Sequence, residues 1–295
     1  MDVILRDRRA IVVFLAPALI VYTLVLLAPI IWSLVYTFYS GNVLTGFKYV
    51  GLHNFRTLIH DPAFWTALKF TLKYGVLVTV FQVGFGLALS LMFVFYLRRG
   101  SALVRTLVFF PVVLPTVAVA QLFAKIFAIA PQYGLVNAGL HAAHLDGSIQ
   151  DWLGRGNTAL LVLVVMDVWR SMGFYAVLLY AGLVDVPEEI LESARLDGAS
   201  GIRLVRYMVL PLLGPVLFSA LIFSINGTLK VFDSVVALTN GGPGQSTTPL
   251  TLYMFNNAFS YGEYGYASAI ATALALMCLL ITLGAFGFAR RDVTL

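Results

Sequence analysis

Side chains able to do covalent or acid–base chemistry are scarce in this 295-residue sequence. It holds four histidines, one cysteine and fourteen carboxylates. His53, His60, His141 and His144 fall in polar segments between apolar runs. His141 and His144 have a spacing that suits one helix face, but only Asp146 stands near as a further ligand. A closed metal site asks for more, so they read as solvated loop residues. Cys278 lies in an apolar run, which excludes an intramolecular disulfide and a cysteine-based metal cluster. No G-x-x-x-x-G-K-[ST] phosphate cradle, no H-E-x-x-H and no C-x-x-C pattern occurs. No nucleophile–base pair stands out. The charged residues that invite a chemical reading are of another kind. Asp167 and Arg170 interrupt one long apolar run, and Lys230 and Asp233 interrupt another. Each pair is spaced three apart and so would share a helix face. Ionisable groups in such runs are costly and usually face a bundle interior or a wet cavity. Their chemistry is therefore reversible contact with a polar solute, or a salt bridge within or between chains.

The elements that position these residues follow from composition. The sequence is 60% hydrophobic and 11% charged, with a mean hydropathy of +0.90. Soluble domains carry roughly 25% charge, so a soluble globule is excluded, as are disorder and collagen. A membrane-crossing helix needs about 20 mostly apolar residues. Runs of that kind predict about six spans, near residues 11–36, 74–97, 106–130, 159–184, 207–238 and 266–289. The first run has a basic start but is too long for a signal-peptide core, so it reads as a retained helix. Orientation follows the arginines. Arg6, Arg8 and Arg9 precede the first span. Arg98, Arg99 and Arg105 lie after the second, Arg195, Arg203 and Arg206 after the fourth, and Arg290 and Arg291 after the sixth. Both termini are expected on the cytoplasmic side. The net charge of +5 is then mostly topology and gives no argument for nucleic acid.

One cytoplasmic connection breaks the pattern of plain loops. Asp185–Pro215 starts with Pro187, suited to a first helical turn. Glu188, Glu189 and Glu192 follow, favourable near a helix N-terminus. Ile190, Leu191 and Ala194 form a short apolar face, and Gly198 suits a left-handed end. Ser200 is placed to cap a second helix that runs into the fifth span. A short amphipathic helix with a glycine hinge is suited to docking in a partner's groove.

Here the run E-S-A-x-x-D-G-A-S at Glu192–Ser200, with Leu210 and Pro211 after it, resembles the EAA loop of permease subunits of binding-protein-dependent ABC importers. Ser193 stands where that motif has its second alanine. V-G-L-H-N-F at Val50–Phe55, D-P-A-F-W at Asp61–Trp65 and G-L-V-N-A-G-L at Gly134–Leu140 are similar to segments of sugar-importer permeases. So are L-K-V-F-D at Leu229–Asp233, L-T-N-G-G-P-G at Leu238–Gly244, S-T-T at Ser246–Thr248 and Y-G-Y-A-S-A at Tyr264–Ala269. These segments appear in order along nearly the whole chain. They point to the carbohydrate-uptake subgroup, of the maltose and glycerol-phosphate permease type.

The resemblance implies an all-α bundle of six transmembrane helices, forming one permease domain over residues 1–295 with a coupling loop at 185–206. Glu188, Glu189, Leu191, Glu192, Ala194, Arg195, Asp197 and Gly198 are the expected contact with an ABC ATPase dimer. ATP and Mg²⁺ would sit on those partner subunits, with no cofactor on this chain and no catalytic or metal site. The helices flanking the loop line the sugar cavity in the family, which makes Asp167, Arg170, Ser171, Ser224, Asn226, Thr228 and Lys230 the candidate substrate path. Further expected partners are a second, non-identical permease, an extracellular or periplasmic solute-binding protein and membrane lipid. The expected location is a bacterial or archaeal cytoplasmic membrane. A glycerol-phosphate or other small polar solute is the alternative cargo. An ion-coupled secondary transporter using the intramembrane charges as a proton relay is the alternative mechanism.

Overall fold

The structure is a computed structural model that describes residues 8–42, 44–97 and 99–291. Arg6 and Arg98, two of the arginines used for orientation, lie outside the described residues, as do the side chains of Arg8, Arg9, Arg290 and Arg291. Five helices are long and apolar enough to cross a membrane, or six if one bent pair counts as a single span. The chain forms two compact units.

The first unit comprises the residues up to Phe64 together with Tyr253–Leu276. It starts with α1 (8–36), in which no residue of Val12–Tyr36 is buried. A wide π-helical turn at Thr23–Leu27 sits just before Pro29. Proline has no N–H and its ring clashes with the carbonyl four residues back, here that of Val25. The wider turn relieves both. A hairpin follows, β1 (Tyr39–Asn42) and β2 (Gly46–Tyr49), with Tyr39 opposite Tyr49. Helix α2 (His53–His60) is tied to it by Asn54. The buried Asn54 amide donates to the carbonyls of Thr37 at 2.8 Å and Tyr39 at 2.9 Å.

Asp61 is the knot of this unit. Its Oδ1 accepts the backbone N–H of Ala63 at 2.9 Å, which caps the next helix. Its Oδ2 accepts the phenols of Tyr253 and Tyr266. Burial pushes the carboxyl up, but the two phenols and the backbone N–H groups of Ala63 and Phe64 outweigh it, so it is held below its ordinary value of 3.8. Burial, and then the bond to Asp61, push the Tyr253 phenol up to about 12, so it stays a donor at neutral pH. A lowered carboxylate contributes stability above its unfolded value and loses it as pH falls through the folded one. Asp61→Asn should therefore lower the melting temperature of the detergent-solubilised protein at pH 7. The gap to the native chain should close as pH drops below 3.8. A gap that is constant down to acid pH would sink this account.

The second unit comprises Trp65–Leu252 and the residues from Met277 on. Its helices are α3 (Pro62–Phe95), α4 (Ser101–Val113), α5 (Thr116–Ile126), α6 (Leu135–Ala142), α7 (Gly156–Val184), α8 (Glu188–Leu196), α9 (Gly201–Leu229) and α10 (Asp233–Leu238). Helix α11 (250–260) and α12 (Tyr264–Arg291) each have residues assigned to both units. Two buried clusters hold it. One joins Tyr74 and Val78 of α3, Val119 and Phe123 of α5, Leu163 and Met166 of α7, and Val235 of α10. The other joins Val83 of α3, Leu179 and Leu183 of α7, Ala194 of α8, and Leu204 and Leu213 of α9. In lipid the drive for such contacts is close packing rather than escape from water.

Three expectations about the spans need correction. The helix that holds the second span starts at Pro62, ahead of the apolar run near 74, because Asp61 and Pro62 open a helix that carries Lys69 and Lys73 on its N-terminal turns. The stretch 106–130 is not one straight helix. It divides into α4 and α5, which meet at 97°. Pro115 forces the residue before it out of the helical region, and Leu114 is extended at φ −69°, ψ 139°. The stretch 207–238 is also broken. Helix α9 stops at Leu229, and α10 begins only at Asp233. The carbonyl of Val231, freed by the break, accepts the Thr251 hydroxyl. Pro211, by contrast, breaks nothing: a π-helical turn at Val205–Val209 absorbs it, as at Pro29.

Candidate functional site

Helices α3, α7 and α9 place polar side chains toward one another because each carries a few of them within an apolar run. Together with the break after α9 they enclose a cavity of about 270 Å³. Of the sequence candidates, Asp167, Arg170, Ser171, Ser224, Thr228 and Lys230 line it. Asn226 does not. Its amide donates to the Ile222 carbonyl at 3.0 Å and to Thr282 Oγ1 at 3.1 Å, one helix face away from the cavity.

The lining is fastened at two levels. At one level Gln82 is the hub. Its Nε2 donates to Ser224 Oγ at 2.6 Å, and its Oε1 accepts the Ser171 hydroxyl at 2.5 Å. Ser224 donates on to Thr79 at 2.8 Å, and Thr228 donates to the Ser224 carbonyl at 2.9 Å. Gln82, Thr79, Ser224 and Thr228 are all buried. At the other level, Asp167 accepts Tyr74 Oη at 2.5 Å and Ser234 Oγ at 2.8 Å, and Arg170 Nε lies 3.5 Å from Asp167 Oδ1. Buried polar groups in a membrane bundle find partners among themselves because lipid offers none.

Arg170, Ser171, Lys230, Phe232 and Asp233 retain exposed surface in the cavity. The expectation that Lys230 and Asp233 share one helix face is overturned. The helix ends between them, with Lys230 at φ −104°, ψ 20°, and no ion pair joins them among the described residues. The sequence reading missed Tyr74, Thr79, Gln82, Tyr175 and Ser234. Gln82 was findable, because an amide in a long apolar run needs a partner. The others carry ordinary hydroxyls, and nothing in their spacing marks them. His141, in the last turn of α6, pairs with Asp146 at 2.7 Å, and both side chains are exposed.

The loop after α7 forms the expected short helix. Pro187 stands at the N-cap position of α8, with Glu188 and Glu189 in its first turn and Arg195 in its last. These charges suit both ends of the helix dipole. Ala194 is buried and Leu191 half-buried against the cluster of Leu183, Leu204 and Leu213. Glu188, Glu189, Glu192, Arg195, Asp197 and Gly198 are exposed. Gly198 is left-handed at φ +87°, as the sequence requires. Ser200 precedes α9 but its hydroxyl makes no cap bond, so that expected cap is absent. The geometry is a helix with one face seated on the ends of α7 and α9 and the other face free.

Comparison with known proteins bears on both features. The sulfoquinovosyl glycerol transport system permease protein SmoG of Agrobacterium fabrum is 33% identical over 287 residues, covering 94% of this chain and 89% of its own. The lactose transport system permease protein LacF of Rhizobium radiobacter is 32% identical over 280 residues, covering 94% and 93%. A crystal structure of a bacterial ABC transporter involved in the import of the acidic polysaccharide alginate contains a chain of the same fold, with a TM-score of 0.85, 24% identity and 98% of each chain covered. Residues 81–291 match the family described as binding-protein-dependent transport system inner membrane component. That span takes in α7, the α8 helix and the broken α9–α10 segment, and the chain belongs to this family of membrane-spanning transport permeases.

Proposed function

We propose that the chain is the permease subunit of an ATP-driven importer that carries a sugar or sugar derivative delivered by an extracellular solute-binding protein. The observation that supports this most is the shared use of α7 and α9. They line the polar cavity, and their other ends seat Ala194 of the coupling helix α8. A push on α8 is thereby carried to the cavity through packed side chains. The relatives SmoG and LacF, by their names, serve sulfoquinovosyl glycerol and lactose, which favours a sugar.

In this reading the exposed residues Glu188, Glu189, Glu192, Arg195, Asp197 and Gly198, with Leu191 and Ala194 behind them, meet an ABC ATPase dimer that holds ATP and Mg²⁺. A second, non-identical permease completes the path. Both termini face the cytoplasm of a bacterial or archaeal cell, in keeping with the arginines on that side. Arg170, Ser171, Ser224, Thr228 and Lys230 form this chain's part of the path, within which Arg170 and Lys230 also suit a phosphate-bearing or acidic solute. Asn226 supports the path from outside, through Thr282.

The test is reconstitution in liposomes with the ATPase, the second permease and the binding protein. Uptake is expected to need all of them and to follow ATP hydrolysis. Screening the binding protein by thermal shift against saccharides and glycerol phosphates names the solute. Uptake by this chain alone, or uptake abolished by an uncoupler while ATP stays high, would overturn the proposal.

A further inference from the structure

Asp167 lines the cavity by position, yet its carboxylate is already committed. Tyr74 donates to Oδ2 at 2.5 Å, Ser234 donates to Oδ1 at 2.8 Å, and Arg170 Nε stands 3.5 Å from Oδ1. Asp167 is 4% exposed, Tyr74 2% and Ser234 4%, which leaves a solute no oxygen to reach. The two donors come from separate elements, Tyr74 from α3 and Ser234 from α10, and the ion-pair partner Arg170 stands one turn further along α7.

Ser234 is the residue that matters for placement. It is the second residue of α10, immediately beyond the break that follows Leu229. Lys230, Phe232 and Asp233 of that break all line the cavity. On its other side the break is held by the Thr251 hydroxyl on the Val231 carbonyl. A break in a helix within an apolar bundle has few internal bonds to fix it. Here its backbone bonds are local, Lys230 N to Gly227 O at 3.3 Å, Val231 N to Thr228 O at 3.2 Å and Val236 N to Phe232 O at 2.9 Å. Those bonds stay within one stretch of chain, and side-chain bonds from α7 and α11 tie the break to its neighbours.

We propose that Asp167 is a positioning residue for transport. It fastens the break through Ser234, and so aims Lys230 and Phe232 into the path, without itself touching the solute. The inference rests on the reading of the cavity as the path. It also explains why the residue is an acid. A carboxylate accepts on both oxygens, whereas an asparagine amide has one acceptor oxygen and an NH₂ donor, so Asp167→Asn can accept from only one of Tyr74 and Ser234 and sets a donor against the hydroxyl of the other, which must turn round to accept. Arg170 beside it balances the charge that burial would otherwise leave alone.

The experiment uses the whole reconstituted transporter with Cys278→Ser as background. Asp167→Asn and Ser234→Ala should each lower the maximal uptake rate about tenfold, in line with the loss of a hydrogen bond to a charged group. The double variant should be no worse than the more severe single, because both cut one connection. Relative rates for two competing solutes should not move. A Lys230→Cys reporter labelled by a membrane-impermeant thiol reagent should change its labelling rate about fivefold or more in either variant, through relocation of the break. Ser234→Ala removes one oxygen atom and keeps the test open if Asp167→Asn assembles poorly.

Additive losses near a hundredfold, an unchanged labelling rate, or a shift in solute preference from Asp167→Asn alone would each overturn the positioning role. In the background carrying only the reporter, labelling should slow when loaded binding protein and ATP drive turnover. If neither affects it, the cavity is not the path, and the two readings fall together rather than the positioning role alone.

Discussion

Gly198→Val is expected to leave ATP hydrolysis running in the reconstituted transporter while solute uptake falls at least about tenfold. Gly198 closes α8 at φ +87°. A β-branched residue there costs about 1–2 kcal/mol, and the chain escapes that cost by leaving the left-handed region. Space is not the obstacle, since an added Cβ would meet nothing within 4 Å. The strain lies entirely in the backbone, so the response is a reorientation of α8 against α9. Ala194 then loses its seat among Leu183, Leu204 and Leu213, and in the importer reading proposed above a push from the ATPase would no longer reach α7 and α9. Gly198→Asn should keep coupling, because asparagine tolerates the left-handed region. Glu192→Lys should uncouple by a separate route, reversing charge on the free face of α8. Phosphate release and solute uptake measured in the same vesicles give the ratio directly. A native ratio in both Gly198→Val and Glu192→Lys would remove the coupling role of α8.

Gly173→Val should be the most damaging single change to the fold, at about 3 kcal/mol or more, the upper end of the overpacking range. Gly173 is buried on α7. A Cβ there would stand 2.2 Å from the Val108 carbonyl oxygen and 2.9 Å from Phe109 Cα. Both are backbone atoms of α4, which cannot rotate away as a side chain would. The two helices must separate, and membrane helices packed through small residues depend on that close approach. Gly173→Ala should show the same sign with a smaller size. Gly84→Ala is the contrast, exposed on α3 with nothing within 4 Å. It should be neutral or slightly stabilising, since alanine is the better helix former. Thermal unfolding in detergent checks all three. A Gly173→Val protein that melts with the native one would refute the close-packing account.

The parts of the molecule legible in the sequence are those set by local physics. Long apolar runs dictate helices that cross a membrane, because a helix satisfies all its backbone groups within one segment. Pro187, the acidic first turn and Gly198 dictate a short helix with a left-handed end. The cavity was legible in part, because charges and hydroxyls in apolar runs must point somewhere polar. Asp167, Arg170, Ser224, Thr228 and Lys230 do meet there.

Tertiary structure decided the rest. A count of apolar residues carries no sign of where a helix stops inside a run. Leu114–Pro115 turns one expected span through a right angle, while Pro29 and Pro211 are absorbed in wider turns. The difference lies in which neighbours take up the freed backbone groups. The halt at Leu229 depends on Thr251 and on Asp167 through Ser234, partners 20 and 67 residues from the groups they bind. The same distance effect separates Asn226 from the cavity while bringing in Gln82 and Tyr74. Sequence by itself thus determined which residues must leave lipid and which loop must be a helix, since each follows from solvation and backbone preference within a few turns. Which polar groups face a solute and which only hold one another was decided by contacts between helices far apart in the chain, because a buried donor or acceptor is satisfied by whatever packing brings within about 3 Å.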